Sequence, residues 1–163
     1  MRVPALGLSR LRGRRRALAI GSAVLAAVIG VVGFQVSSAS AARPGRSAAG
    51  AVAWMASHAG SSAYEGYCEI AVEKAYFGHA GVVGDAISHY YKARAQGAIR
   101  TGTPPKGALV FYRLGNPHGH IAISAGGGKI WSTSVNGGIH RVSLHYFGGT
   151  YLGWADGTSS RAW

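Results

Sequence analysis

A single apolar run from Ala17 to Val36, uncharged and preceded by Arg2, Arg10, Arg12, Arg14, Arg15 and Arg16, divides this chain before anything else can be read from it. A basic segment, an apolar segment and then small residues make the pattern of a secretory signal peptide. Ala39-Ser40-Ala41 supplies the small-x-small site, so residues 1–41 are expected to be a leader cleaved after Ala41. If retained, residues 17–36 are nearly long enough to span a bilayer and would serve as an N-terminal membrane anchor. The arginines on the N-terminal side favour an extracytoplasmic location for the rest, secreted or at the cell surface. Arg14-Arg15-Arg16 leaves twin-arginine export open.

The division changes what the charge means. The full chain of 163 residues has 17 Lys+Arg against 5 Asp+Glu, a net +12 that invites a nucleic-acid partner. Six of those cations belong to the leader, and residues 42–163 keep 11 basic and 5 acidic side chains, net +6. They are scattered from Arg43 to Arg161 without a basic stripe interleaved with aromatics, so no nucleic acid is expected as partner. Modest basicity in an exported domain suits anionic cell-wall polymers or lipid surfaces instead. One Cys excludes an intrachain disulfide framework and any zinc site built on two cysteines. With 48% hydrophobic and 13% charged residues the chain is no disordered tail, and its length allows one domain.

Residues 42–50 read as a linker, and residues 51–158 as the domain. Ala51 to His58 predicts one or two helical turns. A second helix is expected from about Tyr67 to Phe77, with Gly78 where a left-handed C-cap belongs. Asp85 is placed to N-cap a third helix running to Ala95, with Ile87, Tyr90, Tyr91 and Arg94 recurring at helical spacing. After Gly97 the pattern changes to short strands: Ala108–Tyr112, His120–Ser124, Lys129–Val135, Ile139–Val142 and Tyr151–Ala155, punctuated by glycine turns such as Gly126–Gly128. Helices first and an antiparallel sheet afterwards make an α+β domain.

Cys68 falls at the head of the second helix, where the helix dipole and free backbone N–H groups favour thiolate, the nucleophilic form. Such a thiol needs a base. His120 is the best placed of seven histidines, at the first residue of a strand and just after Gly119, which leaves room beside the imidazole. His118 lies two residues away, and the two together offer a metal-binding alternative. The other histidines read as solvated. A third group should orient the base. Ser132, Ser134 and Asn136 share one face of the following strand by alternation; Ser132 suits the hairpin register, and Asn136 has the better acceptor. Tyr64 or Tyr67 is a candidate oxyanion donor, beside the backbone N–H at the helix start. Glu65, Glu69 and Glu73 at four-residue spacing read as a solvated helix face.

Gly66-Tyr67-Cys68 opening a helix, then Pro104-Pro105-Lys106-Gly107-Ala108-Leu109-Val110-Phe111, then Gly119-His120-Ile121-Ala122-Ile123 and a glycine hairpin, resemble the NlpC/P60 and CHAP group of papain-like cysteine hydrolases. The likeness covers most of residues 51–156. It differs in Glu69-Ile70, where the group has Ser-Gly after the nucleophile, in Ala108 for an Asp, and in Ser132 for a His, Asn or Gln. The resemblance implies a papain-like fold, N-terminal helices packed on a small antiparallel sheet. It implies Cys68 as nucleophile, His120 as general base and the third residue on the strand of Ser132, with no cofactor or metal. The expected substrates are peptide or amide bonds of peptidoglycan stem peptides. The alternative is the same fold without strong catalysis, kept as a cell-wall or glycan-binding module.

Overall fold

The computed structural model describes residues 43–148 and 150–163. The leader or anchor read from residues 1–41 lies outside them. Among the described residues no helix is long and apolar enough to cross a membrane.

Three ten-residue helices come first: α1 (Ala48–Ser57), α2 (Cys68–Phe77) and α3 (Ala86–Ala95). Each begins or ends where local chemistry dictates. Ser47 accepts the Gly50 N–H and caps α1; Asp85 accepts the Ser88 N–H and caps α3. Gly78 closes α2 in the left-handed conformation. Helix α1 therefore starts at Ala48, inside the stretch read as a linker. Arg46 is structural too, because its guanidinium donates to the Lys74 and Ala75 carbonyls at the C-terminal end of α2. Those carbonyls lie in the last turn, at the helix's negative pole, and the Lys74 carbonyl accepts the Gly78 N–H as well.

Five strands follow: β1 (Leu109–Arg113), β2 (His120–Gly126), β3 (Lys129–Val135), β4 (Gly138–Ser143) and β5 (Thr150–Ala155). They pair antiparallel in the order β4-β3-β2-β1-β5. The β2–β3 hairpin is tighter than the sequence reading had it, since Gly126 pairs with Lys129 and only Gly127 and Gly128 form the loop. Both adopt positive φ, the requirement of a two-residue turn that matches strand twist.

The period-two pleat sorts β1 and β2 between two cores. Leu109, Phe111, Ile121 and Ile123 join Val72, Ala75, Tyr76 and Tyr90 of the helices in the larger one. Val110, Tyr112, Ala122 and Ile130 form the smaller one on the opposite face, closed by Leu144 and Phe147. The expected α+β architecture of helices followed by an antiparallel sheet is thus what the chain forms. The domain extends past residue 158, however. Trp163 is fully buried against Tyr76, Phe77 and His89, and its indole N–H donates to the Gly157 carbonyl at 2.9 Å. A side chain of that size removed from water contributes about 2–3 kcal/mol.

Helix α3 presents a different face from the one its periodicity suggested. Ala86, His89, Tyr90 and Ala93 point inward, whereas Tyr91 and Arg94 are exposed. Reading His89 as solvated displaced the stripe, and its burial has a polar cause described below.

Candidate active site

The first turn of α2 has no side-chain cap, because Tyr67 occupies the N-cap position and makes no capping bond. Its backbone donors are consequently available to Cys68, the first helical residue. The backbone N–H of Ile121, the residue after His120, is near enough to lower the thiol's pKa. Head of helix and start of strand are thereby brought together, and Cys68 and His120 line one cleft of about 530 Å³. Tyr67, more than half exposed, stands at its mouth, with Leu114, Asp85 and Phe147 along the walls.

Burial reverses the electrostatic expectation for the thiol. Removal from water pushes Cys68 up to about 11, against the lowering effect of the Ile121 N–H and the helix-start donors, and the adjacent Glu69 carboxylate adds to the rise. A helix N-terminus alone does not make a thiolate here. Burial likewise depresses His120, which is 5% exposed, to about 4. At neutral pH the resting site therefore holds a thiol and a neutral imidazole.

The tautomer of that imidazole follows from its partners. His120 Nε2 lies 2.7 Å from Ser132 Oγ, and the same hydroxyl lies 3.0 Å from the Thr133 carbonyl. A carbonyl oxygen can only accept, so the single Ser132 proton goes to Thr133. Ser132 then accepts from Nε2–H, and Nδ1 is left with the lone pair. Phe147 lies against the ring with centroids 4.4 Å apart and holds its plane. Gly119 is required by the backbone rather than by substrate: its φ is +66°, and a Cβ there would stand 3.0 Å from the Tyr112 carbonyl and 3.2 Å from Ile87.

The alternative third residue, Asn136, and one of the two candidate oxyanion donors, Tyr64, are not where the sequence placed them. Asn136 is exposed in the β3–β4 turn with φ +48°, away from the cleft lining. The strand loses its alternation at a bulge between Ser132 and Val135, where Ser134 also takes a positive φ. Ser134 reaches the cleft and accepts the Gly66 N–H at 3.2 Å, steadying the loop before Cys68. Tyr64 lies outside the cleft lining, edge-on to Trp54 and under the Lys74 ammonium. Of the two tyrosines considered as donors, only Tyr67 borders the cleft.

His118 is exposed, and its Nδ1 pairs with Asp85 at 2.9 Å. The hydrogen bonds from His118 and Ser88 hold the Asp85 carboxyl down to about 2. The fold thus supplies the carboxylate that the local sequence lacked, yet among the described residues no three His, Cys, Asp or Glu side chains gather around one point.

Two carboxylates and an imidazole read as solvent-facing are buried. Glu73, 1% exposed, accepts the N–H groups of Gly81, Val82 and Val83 at 2.6, 3.0 and 2.5 Å. Glu69 accepts from His89 Nδ1 at 2.7 Å, and His89 Nε2 donates to the Ala162 carbonyl at 2.6 Å. Both ring nitrogens face oxygen atoms. The spacing held the clue: Glu69, Val72, Glu73 and Tyr76 lie at three- and four-residue intervals, so any face that buries Val72 and Tyr76 carries both carboxylates inward.

Compared with protein-family models, curated proteins and solved structures, the chain matches none of them.

Proposed function

We propose that the protein is an exported cysteine hydrolase of the NlpC/P60 or CHAP type, with a papain-like arrangement, cutting a peptide or amide bond in peptidoglycan stem peptides. The observation that carries the reading is the His120–Ser132 hydrogen bond. It leaves Nδ1 as the basic nitrogen in the cleft that Cys68 also lines.

In this mechanism His120 Nδ1 takes the Cys68 proton as sulfur attacks the carbonyl carbon, because thiol and imidazole are both neutral at rest. The backbone N–H groups at the uncapped start of α2 face the developing oxyanion. Nδ1–H then protonates the departing amine as the C–N bond breaks, leaving a thioester. Water, deprotonated by the same nitrogen, cleaves the thioester and returns the proton to sulfur. Ser132 orients the ring throughout and stabilises the imidazolium through its acceptor oxygen, more weakly than a carboxylate does.

Mass spectrometry of peptidoglycan after incubation with the protein tests this reading and identifies the bond. Cys68→Ala should release no fragments; release undiminished by that change rejects the nucleophile.

A second reading, a wall-binding module with a weakened site, draws on the elevated Cys68 and depressed His120 values. It predicts wall sedimentation of the protein without any fragment release by the unaltered chain.

A further inference from the structure

We infer that the groove between the start of β1 and the end of β5 is a second site, which binds a sugar ring bearing an anionic substituent on a cell-wall polysaccharide. The inference deepens the wall-hydrolase reading and takes the wall as the source of the polymer from it.

The groove has a volume of about 280 Å³ and is lined by Arg100, Lys106, Trp154 and Asp156 among others. Arg100 and Lys106 are exposed, and among the described residues neither forms an ion pair with a carboxylate. The Arg100 guanidinium stands over the Trp154 ring, 5.6 Å from its centroid. This platform is built into the backbone. Arg100 and Trp154 exchange both main-chain hydrogen bonds, at 2.8 and 2.9 Å, and the indole N–H donates to the Thr101 carbonyl at 3.0 Å. Gly153 allows the close approach: a Cβ at that position would lie 2.5 Å from the Arg100 carbonyl oxygen. The aromatic ring and the Arg100 cation over it are therefore in place before any ligand arrives, which reduces the ordering cost of binding.

The mixture of groups selects the ligand class. Two cations without carboxylate partners call for an anion. A half-buried indole offers an apolar face of the kind a pyranose ring stacks on. Asp156 accepts from the Thr158 N–H and hydroxyl through Oδ1, which leaves Oδ2 to take a sugar hydroxyl. A bare polyphosphate would leave the ring and the Asp156 acceptor unused, with Asp156 opposing part of its charge.

The surrounding field agrees. Folding withdraws Glu69 and Glu73 from the surface, whereas every one of the described Lys and Arg side chains except half-buried Lys74 stays exposed. The outside is consequently more basic than the composition states. Ala108 borders this groove and Leu114 borders the catalytic cleft, at the two ends of β1. Six residues of extended chain separate them by about 20 Å. A polymer held at the groove would present its attached peptides within reach of Cys68.

The test uses the Cys68→Ala protein, so that binding is read without turnover, and measures retardation in gels containing polygalacturonate, neutral dextran or polyphosphate. Polygalacturonate should retard the protein more than either other polymer. The Arg100→Ala/Lys106→Ala double variant should weaken that affinity about fivefold, two solvent-exposed charge contacts' worth. Trp154→Ala should weaken it as well, with Lys106→Glu as a variant that leaves the platform intact. Equal retardation by dextran, equal retardation by polyphosphate, or affinity unchanged in these variants overturns the site. Restoring Cys68 in the double variant separates the two proposals: cleavage of a short soluble stem peptide should persist even where polymer binding is lost.

Discussion

In the proposed mechanism Ser132 orients the base with one hydroxyl, and the direction of its hydrogen bonds sets which imidazole nitrogen carries the lone pair. Ser132→Ala removes the acceptor and frees the ring to adopt the other tautomer. Turnover of a wall peptide should fall about tenfold, the effect of one lost hydrogen bond of ~1.4 kcal/mol. Ser132→Thr keeps the oxygen and should retain most of the rate. The paired values near 4 for His120 and near 11 for Cys68 also define a pH profile. The reactive form has a protonated thiol and an unprotonated imidazole. kcat/KM should therefore rise as His120 loses its proton near pH 4 and fall as free Cys68 ionises near pH 11. A profile confined to a narrow peak near neutrality counts against this assignment.

Helix α2 is enclosed on nearly all sides, and its two buried carboxylates do different jobs. Glu73 gathers three successive backbone N–H groups of the loop before α3. Glu73→Gln forfeits the charged acceptor, so the amides of Gly81, Val82 and Val83 should lose hydrogen-exchange protection before the sheet does. Glu69 ties the head of the helix to His89, and through His89 to the Ala162 carbonyl. One of its oxygens, Oε2, is buried without a hydrogen-bond partner. Breaking the pair leaves the buried His89 Nδ1 without its partner, so Glu69→Ala should cost about 1–3 kcal/mol in urea unfolding. Combined with His89→Ala, the total should fall short of the sum of the single effects, because the second change removes the group that the first left unpaired.

For the whole molecule, His120 links stability to pH. Its folded value lies well below the usual 6.5, so the unfolded chain binds the proton more readily. The stabilisation is complete above pH 6.5 and is lost as pH falls through about 4. The share of this one group is about 3 kcal/mol at pH 4. Urea titrations at pH 7 and pH 4 should show it, and His120→Gln should remove that part of the difference.

Much of the domain was legible because its cues are local. The Asp85 cap, the Gly78 terminator and the glycine turn between β2 and β3 each act through bonds to residues a few positions away, and their elements formed where they were read, the hairpin with a loop one residue tighter. Cys68 and His120 were legible for the same reason, each marked by its place at the start of an element. What required the folded chain was everything set by distant neighbours. Burial outweighed the helix start in setting the thiol. A bulge after Ser132 carried Asn136 out of the site. Contacts from residues 20 and 73 positions away turned Glu69 and His89 inward. Solvation, charge pairing and strand register depend on what packs alongside, and no single stretch of sequence states its own surroundings.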